Sequence, residues 1–302
     1  DVTDVHDALG DILLSEARYG DLTEVLERKG EVLVSKNAPA GALADLACEL
    51  GMLAYGVGRA AGDDDAVRAA TDRYEEALGH MPGHAAAVAC LEELLPDAEE
   101  RLRIARLLEP VYDDAAQWDR LADVLEIQLA AAAEDEDLVA QIGLLDRLAT
   151  LYRRQLENID LTWRTLARRF QLDPSHGETR DDLEGLTGAL NRWDAQVRLY
   201  TALADEPGDG EARLAIKLSV ARTWQGPLAD LEQARAFFHK VLDESPEHAE
   251  ALDALEAIYL ELDRAEDLLD IYRRKIDLSS DVDQKLDYLF RTSDLLRDRV
   301  GR

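Results

Sequence analysis

Cysteine is nearly missing: the 302 residues hold two, Cys48 and Cys90. Both lie in Ala/Leu-rich stretches (LADLACELG and AAVACLEELL), where a small thiol suits a helix core, and two isolated thiols make neither a disulfide framework nor a zinc site. Long apolar runs are also lacking. No uninterrupted run approaches the roughly 18 residues a membrane helix needs, so no membrane insertion is expected. The opening DVTDVHDALG has no basic n-region; a removed leader and no leader are equally compatible with that. Localisation is therefore left open, with the cytoplasm slightly favoured. Positive charge is scarce, with 34 Lys and Arg against 64 Asp and Glu, a net of −30 spread along the whole chain. Without a basic stripe to displace phosphate counterions, a general nucleic-acid binder is excluded. No Ser, Cys or Thr stands in a nucleophile-elbow context and no Walker lysine exists. No enzymatic activity, cofactor or metal is expected.

What is present is helical. LADVLEIQLA, AQIGLLDRLATLYRRQL, LDALEAIYLEL and LLDIYRRKI carry apolar residues three and four apart, and no segment alternates as a strand does. Breakers recur at AGDDD, HMPGH, LDPSHG, EPGDG, QGPLAD and ESPEH, each followed by another amphipathic run. This predicts an all-α chain of about sixteen helices. The breakers themselves repeat: the segments around Pro82, Pro174 and Pro246 align without gaps. Pro174 and Pro246 are 72 residues apart, and Pro82 and Pro174 are 92 apart, an excess of 20. A second block recurs out of phase, as LGDILLSEARYGDL, LEPVYDDAAQWDRL, LEGLTGALNRWDAQ and LEAIYLELDRAEDL. Such periods signal stacked helical hairpins, none able to bury its apolar face alone. The usage of 28 Arg to 6 Lys, with abundant Ala, matches a GC-rich bacterial genome, which is association rather than physics.

Ala70, Tyr74, Ala77, Leu78, Pro82 and, in a second copy, Ala234, Phe238, Leu242, Pro246 resemble helix B of a tetratricopeptide repeat. Thr162, Leu166, Phe170, Pro174 form a degenerate third copy. Leu91, Leu183 and Leu255 hold the leucine place of the next helix A, and Tyr259 the family's tyrosine. The resemblance implies a right-handed superhelical solenoid of antiparallel hairpins; HEAT-like or HAT-like repeats are the alternative. It would be a single domain over residues 1–302, with modules near 1–95, 96–187, 188–259 and a partial 260–302. The 20-residue excess is expected as an additional helix near 96–112.

His84, His176 and His248 each stand two residues after a repeat proline. Equivalent places in successive modules are displaced along the array, so these histidines are expected as caps rather than convergent metal ligands. Trp118 and Trp193 superpose on Tyr19 and Ala265 and are expected as apolar plugs between hairpins. The glycines of YGVGRAAG, Gly56, Gly58 and Gly62, lack the flanking strand of a nucleotide loop and predict a loose helix C-terminus. The acids at 63–65 and 134–137 predict helix starts.

The resemblance implies that helix A lines a concave surface, its exposed places falling four and seven residues after the proline: Glu178 and Asp181, then Glu250 and Asp253. Each pair shares a helix face. Over the whole helices, 175–190 carries Glu178, Asp181, Asp182 and Glu184 against Arg180, and 247–262 carries Glu247, Glu250, Asp253, Glu256 and Glu261 without a base. The family's carboxylate clamp needs Asn and Lys or Arg there. The chain's three asparagines, Asn37, Asn158 and Asn191, fall in apparent turns. Two readings of the acids stand open: a solvated face, or a site for an Arg/Lys-rich peptide or protein. The expected function is a non-catalytic interaction scaffold holding a partner segment on the concave face; a sensor module of a larger signalling protein or enzyme is the alternative. Leu286, Leu289, Phe290, Leu295 and Leu296 predict an unpartnered apolar stripe suited to end-to-end self-association.

Overall fold

The structure is a computed structural model that describes residues 2–63, 65–96, 99–206 and 208–297, with side chains from Asp4 onward. Asp64 of the AspAspAsp run, Asp97 and Ala98 of the 96–112 segment, Pro207 of a breaker and the last five residues of the C-terminal stretch lie outside the described residues. Everything regular among the described residues is helical. Packing divides the chain into two units, Asp1–Glu157 and Asn158–Arg302, the boundary falling inside the 96–187 stretch.

The first unit runs α1 (Val2–Ser15), α2 (Tyr19–Ser35), α3 (Ala40–Ala61), α4 (Ala66–His80), α5 (Ala85–Leu94), α6 (Arg101–Asp114), α7 (Trp118–Glu134) and α8 (Leu138–Arg154). Each helix packs on its neighbours in the chain, and α3 also reaches α5. Short turns between packed consecutive helices make antiparallel hairpins. The α3/α4 hairpin is the most intimate of the unit, and two glycines are the reason. A Cβ on Gly58 would lie 2.4 Å from that of Ala66, and one on Gly51 would meet the Tyr74 ring at 2.5 Å. The glycines read as a loose helix end therefore belong to a tight one. Helix α3 continues to Ala61, and Gly62 closes it in the left-handed region at φ 69°. Helix α3 is also long and apolar enough to cross a membrane by length and composition, although it holds no uninterrupted apolar run of that length. Asp45 and Glu49 break the run but leave the window around them apolar, and in the fold α3 packs on α2, α4 and α5.

The second unit runs α9 (Ile159–Leu172), α10 (Gly177–Leu190), α11 (Trp193–Leu203), α12 (Gly210–Gln225), α13 (Leu231–Glu244), α14 (Ala249–Glu261), α15 (Ala265–Leu278) and α16 (Val282–Leu295). Neighbours in the chain again pack on each other, and α9 also touches α11. Phe170, Tyr200 and Phe238 are among its fully buried side chains. This is the array of helical hairpins expected from the periodicity, and the TPR-like fold that the resemblance implies. Helix α16 differs from α12, which fills the same place one repeat earlier. Helix α12 buries seven residues and α16 none, leaving Leu286, Leu289 and Phe290 47%, 50% and 69% exposed.

Two turn devices recur in register. His84, His176 and His248 are the N-caps of α5, α10 and α14; the Nδ1 of each accepts the backbone N–H three residues on, at 3.3 Å. The second block forms four identical helix-to-helix corners. Arg18, Gln117, Arg192 and Arg264 donate their N–H groups to the carbonyls of Leu13, Tyr112, Thr187 and Tyr259, five residues back, which is the Schellman pattern. The residue just before each donor is left-handed: Ala17, Ala116, Asn191 and Asp263. The three asparagines do sit in turns, Asn37 and Asn191 left-handed and Asn158 capping α9. Of the acidic runs, Asp65 and Asp137 are N-caps of α4 and α8, while Glu134 ends α7.

Candidate binding face

Helices α5, α6, α10 and α14 share one local feature, a leucine followed by a glutamate: Leu91-Glu92, Leu108-Glu109, Leu183-Glu184 and Leu255-Glu256. The leucines are buried to within 1% of completely, which pins each following glutamate at the rim of the core, half-buried. A carboxylate at such a rim is costly unless neighbouring groups donate to it. Glu92 accepts from the Tyr112 hydroxyl at 2.9 Å and from Arg120. Glu109 accepts from Gln128 and Arg147, both at 2.5 Å. Glu256 accepts from Lys275 and, at 3.0 Å, from Arg291. Glu184 accepts from the Ser219 hydroxyl at 2.7 Å. A fifth copy, Leu9-Gly10, has no carboxylate, and Lys29, nineteen residues on as Lys275 is from Glu256, pairs with Asp7 at 2.6 Å.

The acids singled out from sequence lie on the turns before these glutamates. Glu178 and Asp181 precede Glu184 on α10, and Glu250 and Asp253 precede Glu256 on α14. The reading that helix 247–262 carries no compensating base is corrected by the fold, because the bases come from neighbouring helices. Arg222 of α12 grips both oxygens of Glu250, one at 2.5 Å. That bond holds the Glu250 carboxyl below the usual range, against the effect of burial. Lys275 of α15, 7% exposed, donates to Asp253 at 2.6 Å and to Glu256. Burial pulls Lys275 down, yet its bonds to Asp253 and Glu256 outweigh it and hold the amine above its ordinary value. Asp181 meets Arg180 at 3.4 Å. Glu178 and Glu261 are exposed and have no ion pair among the described residues. Sequence spacing found the acids but not their partners, which lie 22 to 28 residues away along the chain.

The tryptophans are redistributed too. Trp118 and Trp193 begin α7 and α11 and are only half-buried. The deeply buried one is Trp163, 7% exposed, which sequence reading passed over. Its indole N–H donates to the Thr187 hydroxyl at 2.8 Å, and the Arg192 guanidinium lies 5.1 Å from the ring centre. Among the described residues no group of three or more His, Cys, Asp or Glu could hold a metal ion.

No family model matches this chain, and no curated protein does. Solved structures similar to it include the TPR domain of P58(IPK), at 13% identity over all of both chains with a TM-score of 0.29. Yeast Tom70 is similar at 13% identity over 93% of this chain and 61% of its own, with a TM-score of 0.35. A tetratricopeptide repeat protein from Parabacteroides merdae is similar at 14% identity over 97% and 99%, with a TM-score of 0.29. The fold itself is read from the helix order, corners and packing above.

Proposed function

We propose that this chain is a non-catalytic protein-interaction scaffold, and that the Leu-Glu face of residues 158–302 holds a basic partner segment, on what would be the concave side of the array. The observation that carries this reading is the charge on α10 and α14. Glu178 and Asp181 recur as Glu250 and Asp253 on equivalent turns, and Glu261 lies further along α14. The bases that reach α14, Arg222 and Lys275, pair with Glu250 and Asp253, and Glu178 and Glu261 stay exposed without an ion pair among the described residues. Such a surface speeds encounter with Arg- and Lys-rich segments and repels acidic ones and nucleic acid. Rigid helices supply the positions, and no bond is made or broken.

The test is fluorescence anisotropy with a labelled peptide of alternating Arg and Gly against its Glu and Gly counterpart. Preferential binding of the basic peptide, weakening as salt rises because exposed charges are screened over about 8 Å at physiological salt, supports the proposal. Equal or absent binding of the two overturns it.

A further inference from the structure

Glu184 is the one Leu-Glu carboxylate that its own fold leaves short of donors. Glu256 receives Lys275 nineteen residues on and Arg291 thirty-five residues on, and Glu109 receives Gln128 nineteen residues on. In the repeat of Glu184 the first of these places is Leu203 and the second is Ser219. Both donor places have thus lost their nitrogen, and neutral hydroxyls, those of Ser219 and Tyr200, are what Glu184 keeps. Nearby bases do not substitute. Arg222 feels the charge of Glu184 but places two of its three nitrogens on Glu250, and Arg180 meets Asp181.

A second observation points to the same spot. The core place held by Leu22, Leu121 and Leu268 in the other repeats, all buried, is Gln196 here. It is 2% exposed, and its amide nitrogen donates to Ser219 at 3.2 Å while its carbonyl oxygen has no partner. The phenol of Tyr200, one turn further along α11 and fully buried, is pushed up by burial first and by the Glu184 charge second, and a hydrogen bond to Glu184 adds to this. A buried polar atom without a partner is costly. The Gln196 carbonyl is one, beside a carboxylate lacking the cations its counterparts have.

We propose that Glu184, backed by Gln196 and Tyr200, is the anchor for a cationic side chain of the partner segment, which takes the place that Lys275 and Arg291 fill at Glu256. This rests on the proposed binding of a basic segment and names the residue that grips it. A guanidinium offers five N–H donors and an ammonium three, so both chemistries suit the site and are separated by experiment.

The experiment uses the full chain and the Arg/Gly peptide, with a Lys/Gly peptide as the second arm. Leu203→Lys with Ser219→Arg installs the donors seen at Glu256 and is expected to weaken binding about tenfold or more by satisfying Glu184 internally. Glu184→Gln should weaken it comparably, and Glu109→Gln in the first unit should not. Circular dichroism melting confirms that each variant is folded. Separately, titration with N-acetyl-arginine amide or N-acetyl-lysine amide should shift the Gln196 side-chain amide signals in NMR, the larger response naming the preferred cation. Peptide binding that ignores both Glu184-site changes overturns the anchor and leaves the basic-segment reading standing. No peptide binding to the wild-type chain overturns both. Unmoved Gln196 signals with either amide mean that no cation reaches the Gln196 carbonyl, and the anchor fails.

Discussion

The two units use the same Leu-Glu framework with opposite charge around it. Residues 158–302 are the less acidic half, with 20 Lys and Arg against 30 Asp and Glu, where residues 1–157 have 14 against 34. Yet on the two turns before the glutamate the second unit places Glu178 and Asp181, then Glu250 and Asp253. The first unit places Ala86 and Ala89, then Arg103 and Arg106. Arg103 is bound to Asp72 at 2.7 Å and to Glu75, as Glu250 and Asp253 are bound to Arg222 and Lys275; both units pair this face internally, and the difference lies in the acids, Glu178 among them, that the second unit leaves exposed. Net charge therefore does not locate the candidate face; the register of acids on a repeated helix does.

The largest contrast expected between the units is in packing. Trp163→Ala in the second should cost about 3–5 kcal/mol, since it opens a cavity and orphans the Thr187 hydroxyl. Trp118→Ala in the first should cost about 1–2 kcal/mol, as a half-buried ring does. Urea unfolding of both variants checks this, and equal losses would mean that the two tryptophans do the same work.

Next in size is Lys275→Met. Removing a buried amine leaves Glu256, 13% exposed, with Arg291 as its remaining cation while Asp253 turns to solvent, and should cost about 1–3 kcal/mol. Lys29→Met at the equivalent place in the first unit breaks one pair with an acid that is 54% exposed and should cost under about 1 kcal/mol. The same comparison changes how the candidate acids should be probed. Reversing Glu250 would leave Arg222 unpaired, and reversing Asp253 would set a second base beside Lys275, so Glu178 and Glu261 are the cleaner positions.

The corners offer a smaller contrast. Ala17 and Ala116 of the first unit sit at φ 56° and 52°, where an alanine Cβ is strained and Asn or Asp, used by the second unit at Asn191 and Asp263, is less so. Ala116→Gly should stabilise by about 1 kcal/mol and Asn191→Gly by about half that or less, measured as shifts in Tm.

Acidification should separate the units most gently. His239 is held below its ordinary 6.5 by burial first and then by Arg235 and Arg274. The unfolded chain thus takes up that proton at higher pH than the folded one, and this stability is present above pH 6.5 and lost as pH falls through the folded value. Glu250, Asp205 and Asp173 are lowered by bonds from Arg222, Lys240 and Ser175 respectively. Their contribution is present above the ordinary values of 4.5 and 3.8 and disappears below the folded ones. All four lie in the second unit. In the first, burial of Asp123 beside Asp119 and Glu126 raises its carboxyl, and that group favours the fold as pH falls. Amide exchange at pH 7, 5.5 and about 4 should show protection fading first in residues 158–302.

Much of this was legible in the chain itself. The proline-to-histidine spacing identified three caps because capping is local, decided within three residues. Helix number and the second block followed from periodicity for the same reason. Trp163 was missed because nothing within its own helix distinguishes a buried tryptophan from a half-buried one; its partner Thr187 is 24 residues away. The donors to Glu256 and Glu250 were missed likewise. A base 19 or 35 residues downstream, or 28 upstream, means nothing until the hairpins fold it back. What the sequence did contain, unread, was the absence of those bases after Glu184, visible once Leu203 and Ser219 are set beside Lys275 and Arg291.

The central claim is that register rather than total charge makes the second unit's face a site for basic segments. Its most direct measurement is the association rate of the Arg/Gly peptide with two double reversals of equal charge change in the full chain. One is Glu178→Lys with Glu261→Lys on the proposed face, and the other is Asp114→Lys with Asp135→Lys among exposed acids of the first unit. The first pair should slow association about three- to tenfold at low salt while leaving Tm in place, and the second should change it little. Equal slowing by both would contradict the claim, reducing the acids of α10 and α14 to a solvated face of an acidic protein.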